Sequence, residues 1–272
     1  MRRPRNPVRR NRNIGTPKQG HGQDNELVIP NPSADHRSYV ERLRTPREYA
    51  FLVHGSRRVA LVEEPGQGCV YGCTVLDLAK LLSLVSPADV DGLDLFLFRQ
   101  PTNKQRILEP VWGRFLYHAW PGKAHGSALC FEAQTLAPMK WSRSITPELK
   151  RELLRLEADG HRIVAGQRAF EIHMTPASLR NTTLFRTALH EIGHYVDWQE
   201  NVLCVPTTSD DEAEVVAQAF RSKTSAMKED FAHRYAAATA ERLSAAGHLP
   251  FAAQWDEPGM AAAGIARAWF SP

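Results

Sequence analysis

The alternation of apolar and polar residues divides the chain into a first half of short strands and a second half of helices. Period-two or continuous apolar runs predict strands at 49–53, 58–62 and 93–98, and residues 74–85 have the 3.6-residue apolar period of a helix. Shorter patterns predict a helix at 38–44 and strands at 106–108, 115–118 and 128–132.

The second half gives clearer signals. Thr146, Pro147 and Glu148 supply an N-cap, a proline at the first helical position and an acid in the first turn, so they begin a helix that runs to about residue 158. A strand follows at 169–174, then a long helix through His190 and His194. Further helices are predicted at 210–224, 226–245 and 259–269.

This order of elements predicts an α+β fold with a twisted sheet, an active-site helix and a helical C-terminal lobe. We expect three regions: a disordered basic tail at 1–30, an N-terminal α/β region at 31–140 and a zincin-like catalytic core at 141–272. The strand at 169–174 precedes the long helix at the spacing expected of a substrate-binding edge strand.

The candidate chemistry lies in the sequence His190-Glu191-Ile192-Gly193-His194. Two histidines four residues apart lie on one face of a helix, roughly 6 Å apart along its axis, and can bind one tetrahedral Zn²⁺. Glu191 is offset from both and is predicted to act as the general base toward a zinc-bound water. Gly193 would let another element pack close beside the metal.

A third zinc ligand is needed, and two acids compete for the role. Asp197 lies on the same helix, but about 7.5 Å along the axis from the level of the metal, which exceeds the reach of an aspartate. Glu214 lies on the next helix among apolar residues, where a carboxylate needs a partner. The sequence therefore predicts His190, His194 and Glu214 as the ligands of one zinc ion per chain.

The segment Thr187-Ala-Leu-His-Glu-Ile-Gly-His-Tyr-Val-Asp197, followed by Asp211-Glu-Ala-Glu-Val-Val-Ala-Gln-Ala-Phe220, resembles the glutamate zincins. It is most similar to the catalytic domain of the anthrax lethal factor-like peptidases, over about residues 187–220. The resemblance implies zinc ligation by His190, His194 and Glu214 with Glu191 as base. The spacer between the two helices is shorter here.

The tyrosine that this family places just before its glutamate helix is absent, because Thr207, Thr208 and Ser209 occupy that region. The donor that stabilises the oxyanion is therefore open. The candidates are Tyr195, Tyr235, His233 and His173.

Charge and cysteine content add information about location and partners. Residues 1–20 carry seven basic and no acidic side chains, so any contact with nucleic acid is expected only through this tail. The tail lacks the apolar run of a secretory signal. Four scattered cysteines are typical of reduced thiols in a cytoplasmic protein. Export by a route that needs no cleavable signal peptide is left open. No segment is apolar enough to predict a membrane span, and the oligomeric state is left open.

These observations favour a zinc-dependent metalloendopeptidase that hydrolyses a peptide or protein substrate. The alternative is a catalytically silent zinc-site protein that acts as a protein- or nucleic-acid-binding module. A catalytic carboxylate at Glu191 argues against the silent alternative, and strong salt-dependent nucleic-acid binding would support it.

Overall fold

A computed structural model of the chain describes residue 38, residues 40–108 and residues 111–271, with Arg37–Pro272 forming one compact unit. The strands, in chain order, are β1 Arg47–Val53, β2 Ser56–Val62, β3 Cys69–Val70, β4 Leu95–Arg99, β5 Gly113–Ala119, β6 Gly126–Glu132, β7 Gln134–Thr135, β8 Met139–Ser142, β9 Arg162–Ala165 and β10 Ala169–His173. The helices are α1 Val75–Leu84, α2 Asn103–Leu108, α3 Pro147–Ala158, α4 Pro176–Arg180, α5 Leu189–Trp198, α6 Asp210–Arg221, α7 Ser225–Ala245 and α8 Glu257–Ala262. Short 3-10 helices occur at Pro87–Val90 and Arg267–Trp269. The predicted α+β mixture is confirmed.

The principal sheet has five strands in the order β1-β2-β4-β6-β5. The β2-β4 and β4-β6 pairs are parallel, whereas β1-β2 and β5-β6 are antiparallel. All five residues of the central strand β4 are buried, as expected of a strand covered on both faces. The three central strands, β2, β4 and β6, are therefore parallel to one another. The edge strands β1 and β5 each run antiparallel to their neighbour.

A two-residue turn connects β1 to β2. His54 and Gly55 both adopt positive φ, at 50° and 79°, which matches the twist required between the strands of a tight hairpin. Val53 pairs directly with Ser56 across this turn. The hairpin fixes the register of the first two strands, so Tyr49, Phe51 and Val53 of β1 face the core.

A second sheet is antiparallel, in the order β8-β10-β9. Strand β10 pairs with β8 on one side and with β9 on the other. The expectation that the strand at 169–174 is an edge strand is therefore wrong, because both of its edges are hydrogen-bonded. The free edges of this sheet belong to β8 and β9.

Helical structure continues without a break from Pro176 to Leu203. Thr175 caps its start through a reciprocal capping box with Ser178. Two π-helical stretches, Asn181–Ala188 and Gln199–Leu203, flank α5. Eight of the ten residues of α5 are buried, so this run forms the centre of the hydrophobic core. No helix among the described residues is long and apolar enough to cross a membrane.

Several sequence expectations differ from the structure. Residues 106–108 belong to helix α2 rather than a strand, and residues 40–44 form turns and bends rather than a helix. The expected division between residues 140 and 141 falls inside β8, which pairs with β10, so no boundary exists there. The basic tail at 1–30 lies outside the described residues.

A buried ion pair holds the C-terminal segment against the core. Arg180 Nη2 donates to Asp77 Oδ1 at 2.8 Å, and its Nη1 donates to the Phe251 carbonyl at 2.9 Å. Asp77 Oδ1 also accepts from the Gln254 N–H at 2.9 Å. Both charged side chains are almost fully buried. Since each charge is satisfied by the other and by backbone groups, α1, α4 and the chain near Phe251 are linked at one point.

We expect Arg180→Ala to lower the free energy of unfolding by about 3–5 kcal/mol, because it leaves the buried Asp77 charge without its partner. Urea denaturation of the full chain measures this change. Arg151→Ala, which breaks the exposed Arg151–Glu148 pair, is the matched control and should cost less than about 1 kcal/mol. Equal effects of the two variants would contradict this account of the buried pair.

Candidate metal centre

The two motif histidines point their imidazoles at the same place. His190 and His194 lie on adjacent turns of α5, and their Nε2 atoms are 3.1 Å apart. Their ring planes are nearly perpendicular, at 85°, with centroids 4.7 Å apart. Both side chains are mostly buried. The helical spacing predicted from the sequence therefore produces a converging pair of ring nitrogens.

A carboxylate from another helix completes this group. Glu229 on α7 places Oε2 3.2 Å from His190 Nε2 and Oε1 3.5 Å from His194 Nε2. Ligands at about 2.0–2.1 Å from a tetrahedral Zn²⁺ are separated from each other by about 3.3 Å. The three separations here, 3.1, 3.2 and 3.5 Å, fall around that value. Two imidazoles and one carboxylate are also a donor set that zinc prefers, so these residues fit the ion.

The sequence expectation for Glu214 requires correction. Its side chain is 66% exposed, and its carboxylate accepts a 2.7 Å hydrogen bond from Arg221. The buried residues of α6 are Ala217 and Phe220, which pack against Trp198, so the helix turns Glu214 toward solvent. The structure therefore brings Glu229, and not Glu214, to the two histidines.

Asp197 also lies away from the group, as its short reach predicts. It is buried and accepts hydrogen bonds from Lys223 Nζ at 3.3 Å and Asn201 Nδ2 at 2.9 Å. Asp197 thus has a structural role at the end of α5.

Gly193 permits the close crossing that delivers Glu229. A Cβ atom at this position would lie 2.9 Å from Ala232 Cα and 3.0 Å from the Ala232 carbonyl oxygen. Both are backbone atoms of α7, which cannot move without shifting the helix. Ala232 is itself buried and lies three residues after Glu229. The expected close approach of another element at Gly193 is therefore observed, and that element carries the carboxylate.

Glu191 lies beside the histidines in a nearly dry environment. It is only 7% exposed, and burial raises the pKa of its carboxyl group, although His190 and His194 partly offset this. The Phe115 backbone N–H on β5 hydrogen-bonds the carboxylate. A buried carboxyl group that still borders the cleft is well placed to accept and release a proton.

The charges in the group are strongly coupled. Hydrogen bonds from His190 and His194 hold the pKa of Glu229 well below its usual range. Burial opposes protonation of His194, but its bond to Glu229 and the nearby Glu191 outweigh burial and raise its pKa. The site therefore concentrates negative charge that favours a bound cation.

His233 is a neighbour that lies one turn after Glu229 on α7. A ligand atom of each of His190, Glu229 and His233 lies within 4.8 Å of the other two, and the His190 and His233 ring centroids are 4.4 Å apart. Burial and the proximity of His190 lower the pKa of His233 to about 4. Glu229 and His233 share the i, i+4 spacing of residues on one helix face, a sequence signal that relates these two residues to each other but not to His190 and His194.

The other candidates for an oxyanion donor are engaged elsewhere. The Tyr195 hydroxyl donates to the Asp91 carbonyl, and the Tyr235 hydroxyl donates to Asp89 Oδ2 at 2.7 Å. His173 lies on β10 beside Glu171. Of the four candidates, His233 is the one that lines the cleft together with His190 and Glu191.

Two adjoining cavities meet at the histidines. The larger, of about 1200 Å³, is bordered by His190, Glu191, Glu229 and His233 and extends between α3 and α7. The smaller, of about 470 Å³, lies on the side of His194 and Lys228. Gly113, at the start of β5, lines both cavities. The group thus lies at the junction of a continuous cleft.

Comparison with protein-family models, with curated proteins and with solved structures gives no match for this chain. Its interpretation therefore depends on the geometry of this site and on the motif.

We expect Gly193→Ala to destabilise the protein by about 1–3 kcal/mol through overpacking against α7. The sign of the change in unfolding free energy distinguishes the two effects, because helix propensity alone would make the alanine variant more stable than the wild type by about 1 kcal/mol. Chemical denaturation measures the difference. A stabilised Gly193→Ala variant would mean that α5 and α7 do not cross at this distance.

Proposed function

We propose that this chain is a zinc-dependent metallopeptidase of the glutamate-zincin type, with His190, His194 and Glu229 as its metal ligands. The observation that carries the proposal is that the two histidine Nε2 atoms lie 3.1 Å apart and each lies within 3.5 Å of one oxygen of the Glu229 carboxylate, separations close to those between ligand atoms around one zinc ion. A buried carboxylate, Glu191, adjoins this set and completes the groups needed for hydrolysis.

A zinc ion bound to these residues would supply Lewis-acid polarisation of a carbonyl group and would acidify water. The protein supplies the remaining steps. Glu191 takes a proton from the attacking water and returns it to the leaving amine, and its low exposure keeps bulk water from competing. The Phe115 N–H holds the carboxylate in position for this transfer.

His233 is the residue best placed to stabilise negative charge on the carbonyl oxygen during attack. It borders the cleft on the same helix face as Glu229. A neutral imidazole has one N–H donor, and a donor aimed at a developing oxyanion typically contributes about 10²–10³-fold to the rate.

An extended peptide suits the shape and edges of the cleft. Strand β5 is the edge of the five-stranded sheet, and β8 is an edge of the second sheet. Residues at the start of β5 and along β8 line the larger cavity, including Gly113, Lys140 and Ser142. Edge strands carry unpaired backbone donors and acceptors, so a substrate chain can add to them by main-chain hydrogen bonds.

The arrangement of elements also supports a zincin-like fold. A mixed sheet with an antiparallel edge strand lies beside the helix that bears the motif, and the helices after it supply the third carboxylate. This is the arrangement that the resemblance to the lethal factor-like peptidases implies, with the glutamate moved from Glu214 to Glu229.

Zinc binding tests the ligand assignment directly. We expect about one zinc per chain, and Glu229→Ala should weaken zinc affinity by at least about a hundredfold, beyond the 10–100-fold typical of residues that only support a ligand. Metal analysis and competition with a chromophoric chelator measure this change. Glu214→Ala is the matched control, because Glu214 lies on the preceding helix and binds Arg221. The zinc affinity of this variant should equal that of the wild-type chain.

Loss of zinc in Glu214→Ala with retention in Glu229→Ala would restore Glu214 as the ligand and overturn the assignment made here. Full zinc occupancy in a His190→Ala, His194→Ala double variant would remove the metal site altogether.

Hydrolysis tests the function. The wild-type chain should cleave members of a peptide library, and a chelator should abolish the cleavage. Glu191→Gln preserves the shape of the side chain but removes the base, so it should retain zinc and lose about 10²–10⁴-fold in activity. Mass spectrometry of the digested library measures both. Undiminished cleavage by Glu191→Gln would contradict the mechanism.

A further inference from the structure

We propose that the larger cavity is a binding slot for a bulky apolar side chain of the peptide substrate. This inference rests on the proposed peptidase function and deepens it by naming a substrate class. The cavity begins at His190 and Glu191 and extends beyond His233. A side chain that enters it therefore belongs to a residue near the bond under attack.

The wall formed by α7 is lined with small residues. Beyond His233, the cavity is bordered by Ala236, Ala237 and Ala240. These positions follow Glu229 and His233 on the same helix face, at the i+3, i+4 and i+7 spacings from His233. Alanine leaves open the volume that a larger residue would occupy, and its surface is apolar.

The facing walls are apolar and aromatic. They are formed by Trp141, Ile145, Leu149, Phe185, Leu249 and Pro250. Leu149 is 40% exposed in the absence of any bound chain. An apolar ligand side chain would remove part of this surface from water, which favours binding.

Away from the two histidines, four charged residues of the cavity compensate one another. Arg186 donates to Glu152 at 2.9 Å and to Asp159 at 2.6 Å, and Arg155 lies 3.5 Å from Glu152. The remaining amino group of Arg186, Nη2, is buried and has no hydrogen-bond partner among the described residues. Two arginines thus balance two acids, and this network offers little attraction to a charged side chain.

The outer wall is preformed rather than mobile. Leu249 and Pro250 precede Phe251, whose carbonyl accepts from Arg180. Gln254, three residues further on, is held by Asp77 and by Thr74 Oγ1, which donates to the Gln254 carbonyl at 2.8 Å. A fixed wall reduces the ordering cost of binding and sharpens the size limit of the slot.

Two neighbouring alanines provide a matched test. Ala237 lines the cavity one helical turn, about 6 Å, beyond His233. Ala238 is exposed on the same helix and does not line the cavity. Ala237→Phe should obstruct the part of the cavity beside α7, whereas Ala238→Phe adds the same side chain outside the cavity.

The experiment measures equilibrium binding of fluorescent peptide pools to the zinc-loaded, full-length Glu191→Gln variant. Each pool holds Phe, Leu, Ala, Asp or Lys at one fixed position among randomised residues. We expect the Phe and Leu pools to bind at least about tenfold more tightly than the others. Adding Ala237→Phe should abolish that preference, and adding Ala238→Phe should preserve it.

Equal binding of all pools, or tighter binding of the Asp or Lys pools, would overturn the proposal. An unchanged preference in the Ala237→Phe variant would also overturn it, provided that circular dichroism and zinc content show a folded protein. If the phenylalanine variant does not fold, Ala237→Leu provides a smaller obstruction. Apolar preference in binding together with no cleavage by the wild-type chain would refute the peptidase function and leave the slot intact.

Discussion

The crossing of α5 and α7 at Gly193 is the constraint on which the site depends. The separation between the helices is set by backbone atoms of Ala232 that leave no room for a Cβ at Gly193. At this distance, a carboxylate one turn before the crossing on α7 reaches both histidine nitrogens. A wider separation would move Glu229 outward, and its carboxylate oxygens would no longer lie within ligand-to-ligand distance of the two histidine nitrogens.

Charge balance explains why two carboxylates are tolerated side by side here, with Glu191 buried and Glu229 half exposed. Burial raises the pKa of Glu191, and the negative charge of the nearby Glu229 raises it further. The two histidines supply hydrogen bonds that keep Glu229 ionised. A bound dication would offset both carboxylates at once, so metal affinity and the stability of this part of the fold are linked.

The sequence predicts the local parts of this arrangement and not the long-range ones. The spacing of His190 and His194 fixes their common face through helix periodicity, and the close approach at Gly193 follows from the absence of a side chain. The third ligand depends on which helix crosses there. Both Glu214 and Glu229 are followed three residues later by an alanine, so local pattern alone does not separate them.

The choice between these two acids is made by packing. Ala217 and Phe220 turn the inner face of α6 toward Trp198, which directs Glu214 to solvent and to Arg221. Ala232 instead packs on Gly193. The same limitation explains strand order, because the position of β10 between β8 and β9 is set by pairings that are remote from its own sequence.

The N-terminal α/β region predicted at 31–140 contributes residues to the cleft itself. Strand β5 supplies the N–H that holds Glu191, and its first residue, Gly113, borders both cavities. Asp77 on α1 acts at a longer distance, because it fixes the segment whose residues Leu249 and Pro250 form the outer wall. Since the catalytic groups, the edge strands and the wall come from segments throughout residues 74–256, the cleft exists only when the whole unit has folded.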